Sequence, residues 1–254
     1  MRNFGYALLI GMLNWANILH AQSGPFLSAG KIEYERKLNV YDMMNDWGDE
    51  DDGWNELMKK AVSKFRINYY NLSFNGEKTL FGPGRDNPDN DKSMMGWASS
   101  NVEDVTIYAD LSTGLLTSRK SIYGKNYLIQ DSIRKIKWKI TDETRSIAGF
   151  NCRRANAMIM DSVYVVAFYT DEILAPGGPE SFTGLPGMIL GLALPHEHIT
   201  WFATKVEISA PAPSEITPPT KGKKVTYAVL KEEMTDFVKD WRKRGQRILR
   251  QAML

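Results

Sequence analysis

The residue types in this chain best suited to chemistry are two imidazoles two positions apart, in Pro195-His196-Glu197-His198. Alternate residues of a strand point to one face, so a strand here would let His196 and His198 share a divalent metal. His20 is the only other histidine and sits near the start of the chain, so any further ligands would be carboxylates. The i, i+4 histidine pair of a metalloprotease helix is missing. A solvent-facing turn at a strand start is the plainer reading.

Carboxylates crowd two loops. Asp42, Asp46, Asp49, Glu50, Asp51, Asp52 and Glu56 run with no lysine or arginine between them. Neither this run nor Asp86-Asn87-Pro88-Asp89-Asn90-Asp91 keeps the EF-hand order. Gly53 follows Gly48 where an acid is needed, and Lys92 stands where a glycine is needed. Loose Ca²⁺ binding and a solvated loop both remain open, and charge runs are usually solvated. Asp161, Asp171 and Glu172 could pair for glycoside chemistry only if the fold brought them together. Cys152 beside Arg153 and Arg154 reads as a buried thiol in an alternating strand, with a reactive thiol as the alternative. The nucleophile elbow, the phosphate loop and the dinucleotide fingerprint are all absent, and no residue is assigned a catalytic role.

The elements that must position these groups are mostly strands. Alternation marks Lys31–Tyr41, where Ile32, Tyr34, Leu38 and Val40 share a face with one odd arginine, Arg36. Further strands are expected at Lys64–Phe74, Val102–Ala109, Leu115–Ile122, Asn126–Ile129, Ile133–Ile140, Gly149–Ile159, Ser162–Thr170, Met188–Leu194, Ile199–Ile208 and Val225–Leu230. Trp54–Val62 is a short helix candidate. Lys231 to about Ala252 is a longer one, with an interruption expected at Gly245. The fold class is therefore mainly β: an antiparallel, strongly curved sheet with a C-terminal helix packed on it. Arg242, Lys243, Arg244, Arg247 and Arg250 near the end suit the helix dipole. Contact with anionic lipid, or with the acidic loop of the same chain, is the alternative.

Composition bounds the rest. Arg2, an apolar stretch over Tyr6–Leu13 and Ala21 before Gln22 read as a signal peptide spanning residues 1–21, leaving 22–254 as a single domain. With that leader removed no transmembrane segment is expected. A net charge of +2 gives no pull toward nucleic acid. One cysteine excludes an internal disulfide.

In Ser181–Leu190, SFTGLPGMIL, the glycines and proline predict a type II turn with Pro186 at its second position and Gly187 at its third. Gly184, Leu185, Pro186, Gly187, Met188 and Ile189 resemble the signature of the GLPGLI family of exported Bacteroidetes proteins, with Met188 in place of leucine. Ile147–Ala155 resembles that family's I-x-G-[aromatic]-x-C-x-x-A strand, and Val166–Ile173 its aromatic-Tyr-Thr segment. The resemblance implies export and a β-rich fold, without an established activity. The expectation is an exported cell-envelope protein with a non-catalytic binding or scaffold role, holding an apolar ligand or docking an outer-membrane protein. No cofactor is expected. The alternative is a metal-dependent hydrolase or metal-handling protein built on His196 and His198.

Overall fold

The computed structural model describes residues 27–46, 52–90 and 102–254. The expected leader, and Asp49, Glu50, Asp51 and Asp91 of the acidic loops, lie outside these.

Among the described residues twelve strands form one sheet. In chain order they are β1 (Ala29–Asn39), β2 (Phe65–Asn75), β3 (Lys78–Pro83), β4 (Val102–Asp110), β5 (Leu115–Ile122) and β6 (Lys125–Ser132). Then come β7 (Lys139–Ile147), β8 (Phe150–Ile159), β9 (Val163–Thr170), β10 (Met188–Leu194), β11 (Ile199–Glu207) and β12 (Lys223–Val225). The spatial order is β12-β6-β5-β4-β3-β2-β1-β11-β10-β9-β8-β7. Neighbours are antiparallel apart from β12, which runs parallel to β6. Four helices accompany the sheet among the described residues: α1 (Val40–Asn45), α2 (Asp52–Ala61), α3 (Tyr227–Val238) and α4 (Arg242–Met253). Among the described residues no helix is long and apolar enough to cross a membrane.

The expected mainly β, antiparallel class with C-terminal helices is found, and several elements differ from their expected bounds. Ile133–Trp138 forms no ladder, although its Ile/Lys alternation suits a strand. It carries the chain from β6, beside one edge, to β7 at the other edge, so it has no neighbour to pair with. Ile133, Ile136 and Trp138 instead pack on the core. Beyond Gly76, which makes a tight turn, β3 returns along β2. The expected strand over Val225–Leu230 stops at Val225, because the Thr226 hydroxyl accepts a hydrogen bond from the Val229 N–H and starts α3. The helical break falls before Arg242, not at Gly245. Gly245 lies inside α4, where a Cβ would stand 2.5 Å from the Val238 oxygen, so glycine lets α4 close against α3.

The apolar interior divides in two. The larger cluster runs from Leu116 through Phe81, Leu72, Tyr34 and Trp201 to Cys152 and Val165. A smaller one joins Ile122 and Ile129 to Leu230, Met234 and Ile248 of α3 and α4.

Candidate functional site

Strand register decides which side chains meet. Ser118 on β5 stands opposite Ile107, Ile107 opposite Phe81, Phe81 opposite Leu72, and Leu72 opposite Ile32. Residues paired across a ladder project to the same side, so these five share one face of the sheet. Lys120 joins them two residues along β5. Tyr34 and Tyr70 form the next pair between β1 and β2, and Arg36 follows opposite Trp201 of β11. Among the apolar side chains of this face stand Ser118, Lys120, Tyr70, Arg36 and the Trp201 indole N–H, with Asn68 and Arg66 of β2 farther along it.

These polar groups are poorly matched for an interior. Ser118 and Trp201 are 0% and 1% exposed; Ser118 Oγ has no hydrogen-bond partner among the described residues, and the Trp201 N–H has only the Glu180 carboxyl near it, outside ordinary hydrogen-bond geometry. Nearly all such buried atoms in folded proteins are paired. The Arg36 guanidinium lies 5.5 Å from the Trp201 ring centre, a cation–π approach. Lys120 is 1% exposed, and its ammonium donates one long bond of 3.4 Å to the Ala252 carbonyl at the end of α4. Burial pushes its pKa down to about 8, with Glu180 opposing and Arg134 adding to the fall.

Glu180 reaches this face from the connection between β9 and β10. Burial raises its carboxyl pKa, while Lys120, Arg36 and the Trp201 N–H pull the other way. The carboxyl is enclosed by protein, near Lys120, Arg36 and the Trp201 N–H. Its backbone sits in the left-handed region at φ 54°, which a non-glycine residue adopts only where surroundings force it. The motif read from sequence supplies those surroundings. The Ile189 N–H donates to the Gly177 oxygen at 2.9 Å, and the Phe182 N–H donates to the Pro179 oxygen at 3.2 Å. Tyr34 Oη donates to the Ile189 oxygen at 2.6 Å, tying the loop to β1. Leu185, Met188 and Ile189 are buried, and Trp138 Nε1 donates to the Thr183 oxygen beside Gly184.

The turn itself differs from the expected type. The expected type II turn would have the Met188 N–H donate to the Leu185 oxygen, whereas here the Gly187 N–H donates to that oxygen at 2.8 Å, giving a three-residue turn around Pro186. Gly187 does take a positive φ, 144°, and a Cβ there would lie 2.1 Å from the Thr170 oxygen.

The two histidines do not share a face. Pro195–Glu197 is a turn of 3-10 helix, not a strand, and His198 follows with φ 57°. His196 is exposed, while His198 Nε2 meets Asp46 Oδ2 at 2.7 Å. No three metal-binding side chains converge among the described residues. Glu197 between them, 1% exposed, is gripped by α4. Arg250 Nε donates to its Oε1 at 2.5 Å, Arg247 Nε lies 3.6 Å from its Oε2, and Arg247 Nη2 donates to its backbone oxygen at 2.8 Å. Two of the five terminal cations therefore answer a buried acid, which sequence reasoning missed. Asn87 and Asn90 of the second acidic loop donate to the Ile67 oxygen, so they brace β2.

Cys152 is buried and its thiol pKa is pushed up to about 12, chiefly by burial. That removes the thiolate and with it the reactive reading. Between α3 and the β5–β6 hairpin, a cleft of about 280 Å³ is lined by Tyr123, Tyr127, Lys125, Glu233 and Phe237. Tyr123, Phe237 and Trp241 form a ring cluster there with centroids 5.3–5.4 Å apart, and Phe237 is 42% exposed.

Arg36 and Glu180 were both within reach of the sequence. Arg36 interrupts an apolar face, and Glu180 lies between Gly178-Pro179 and Phe182 of the family-like segment. Trp201 gave no polar signal, because its pattern is that of a core residue.

Residues 157–191 match a family model described as a protein of unknown function (Porph_ging). A search of the curated proteins returned no match. Among solved structures, the chain is similar to PNGF-II in a P21 crystal form at 16% identity and a TM-score of 0.51, over 85% of this chain and 34% of that one. PNGF-II in a C2 form gives the same identity and TM-score over 84% and 33%. The likeness is one of fold, and the chain spans about a third of the length of PNGF-II.

Proposed function

We propose that this is an exported cell-envelope protein of the GLPGLI type with a non-catalytic binding role, and that its ligand sits against the polar island on the shared sheet face. The observation that carries this reading is a set of polar groups on an apolar sheet face: Arg36 laid over the Trp201 ring, the Glu180 carboxyl near both, and, farther along the face, a buried Ser118 hydroxyl without a hydrogen-bond partner among the described residues. A buried polar group without a partner costs ~1–3 kcal/mol, a cost that a bound ligand would offset.

A strongly curved sheet supports the reading. In a flat sheet, β6 and β7 stand ten strand spacings apart, roughly 48 Å. The six residues joining them reach at most roughly 25 Å. Curling the sheet brings its two ends within that reach and turns the shared face inward. Export rests on the basic and apolar leader of residues 1–21 and on the resemblance in Gly184–Ile189. The exposed ring cluster at Phe237 favours docking of an outer-membrane protein as a second reading, because aromatic groups in a cleft anchor interfaces.

Native mass spectrometry on the full chain, made in an exporting bacterial host, tests both parts. The expected spectrum shows a chain beginning at Gln22 and carrying a small bound mass. A bare mass with residues 1–21 retained would overturn the proposal.

A further inference from the structure

We propose that the cleft between α3 and the β5–β6 hairpin holds one neutral sugar ring, stacked on Phe237 with its hydroxyls on Glu233, Asp236 and Lys125. The lining shares no residue with the polar island of Arg36 and Glu180, so this site goes beyond the reading above and stands independently of it.

The cleft has an apolar floor and a charged rim. Ile122 of β5, Tyr127 of β6 and Met234 of α3 are buried and make the floor, while Lys125, Glu233 and Asp236 stand around it. Phe237, 42% exposed, makes a wall. Its ring is braced by Tyr123 and Trp241, each with its centroid 5.3 Å away, so the aromatic surface is held in place before any ligand arrives. Tyr123 gets there through an unusual turn. Ile122 pairs with Lys125 across a two-residue hairpin loop, in which Tyr123 has φ 48° and Gly124 φ 75°. Such a loop favours asparagine, aspartate or glycine at its first position, and a bulky residue there is a true outlier. Local turn chemistry does not call for a tyrosine, whereas bracing the Phe237 ring does.

Charge decides the class of ligand. Lys125 and Arg244 already stand 6.0 Å and 5.7 Å from the ring centres of Phe237 and Trp241, so a further cation meets repulsion. The three rings also pack on one another, and do not spread around an occupant as the walls of an ammonium cage must. The Glu233 and Asp236 carboxylates oppose an anion. An alkyl chain would strip water from the charged rim and return no hydrogen bonds. A sugar ring meets each of these conditions. Its C–H face lies on an aromatic ring, its hydroxyls donate to carboxylates, and they accept from an ammonium. Glu233 is oriented for this, with Lys223 Nζ 2.6 Å from Oε1 and Tyr127 Oη donating to Oε2 at 3.3 Å. Lys223 also holds its carboxyl below the usual range, which keeps it an acceptor. A volume of about 280 Å³ lies at the small end of ligand pockets and suits one ring, not a helix or a strand of a partner.

Saturation-transfer NMR on the full chain, with glucose, galactose, mannose and N-acetylglucosamine offered separately, tests this. Choline, hexanoate and hexanol serve as the cationic, anionic and apolar probes. At least one sugar is expected to bind in the millimolar range, with transfer strongest to the protons of one ring face, and the other probes are expected to give no transfer. F237L keeps apolar bulk at an exposed position and removes the ring, so sugar affinity should fall about tenfold. F237Y keeps the ring and should bind as the natural chain does. D236A, at an exposed carboxylate outside the core, should weaken binding about fivefold with an unchanged Tm, which covers the case of a misfolded F237L.

Absence of transfer to every sugar would overturn the proposal, as would binding that F237L and D236A both leave unchanged. Tighter binding of choline or hexanol than of any sugar would assign the cleft to a cation or an alkyl chain instead. An outer-membrane protein that docks on the natural chain and is lost with F237L, while no sugar binds, would make the rings a protein interface. None of these outcomes touches the reading at Arg36 and Glu180, which stands on residues outside the cleft.

Discussion

Arg250 Nε donates to Glu197 Oε1 at 2.5 Å, and this contact joins the last helix of the chain to the turn after β10. Arg247 adds a second hold from the next turn of the same helix, bonding the Glu197 backbone oxygen and approaching its other carboxylate oxygen. Burial pushes the Arg247 pKa down to about 10, and Glu197 is the first of the charges that hold it up. A helix whose polar face would otherwise be solvated is thereby fixed over the sheet, with its final carbonyls delivered to Lys120 and Arg134. The latch and the carbonyls that meet Lys120 and Arg134 lie in the last two turns of one helix.

Replacing Glu197 by glutamine keeps shape and hydrogen bonding but leaves Arg247 buried without its counter-charge. Breaking one side of a buried pair costs ~3–5 kcal/mol. E197Q should lower the urea midpoint by that equivalent with an unchanged m-value, whereas H196A, at an exposed position, should change stability by less than about 0.5 kcal/mol. An E197Q loss below about 1 kcal/mol would mean that the arginines are held by their backbone acceptors alone.

Stability should depend on pH through Lys120. Its folded pKa, about 8, lies below its ordinary 10.5, so between these values the unfolded chain binds the extra proton. Unfolding free energy therefore rises with pH across that window, by about 3 kcal/mol if this group acts alone. The buried tyrosines act in the opposite sense. Tyr227 is raised to about 12 and Tyr34 is raised as well, so their contribution is full below pH 10 and is lost above it. The expected profile climbs from pH 8, peaks near pH 10 and then falls. K120M should abolish the climb and keep the fall. A wild-type profile flat from pH 8 to 10 would show that Lys120 stays charged when folded.

Most of this architecture is legible in the residues, and the places where it is not have physical causes. Period-two alternation finds β5, β8 and β9 because each has one ladder partner on either side and at least one buried face. Ile133–Trp138 has the same alternation without any partner, and alternation alone cannot report whether an edge is available. Val225–Leu230 reads as strand by propensity, yet the local Thr226 cap outweighs it. The polar island is legible only as the single odd arginine at position 36. Its assembly needs register across four ladders from β5 to β1, plus Glu180 from a distant loop, and neither is encoded in local spacing. The Glu197 latch is hidden for the same reason: 50 residues separate Glu197 from Arg247. The histidine pair is misleading because Pro195 starts a turn that rotates His196 away from His198.

The two positive-φ glycines of the family-like turn should differ in what they tolerate. At Gly184, φ is 92° and a Cβ would meet only Trp138 at 3.7 Å, an ordinary contact, so alanine there meets backbone strain alone, of about 1–2 kcal/mol. At Gly187 the strain at φ 144° adds to a clash, with a Cβ 2.1 Å from the Thr170 backbone oxygen. Neither atom can yield, because Met188 pairs with Thr170 at the start of the β9–β10 ladder. G187A must shift that ladder and should cost ~3 kcal/mol or more. It should also displace the loop that presents Glu180, since Ile189 anchors it through Gly177 and Tyr34. Thermal unfolding of both variants checks the difference: a Tm loss for G187A no greater than for G184A would show that the turn can relax, and that the motif does not fix the loop.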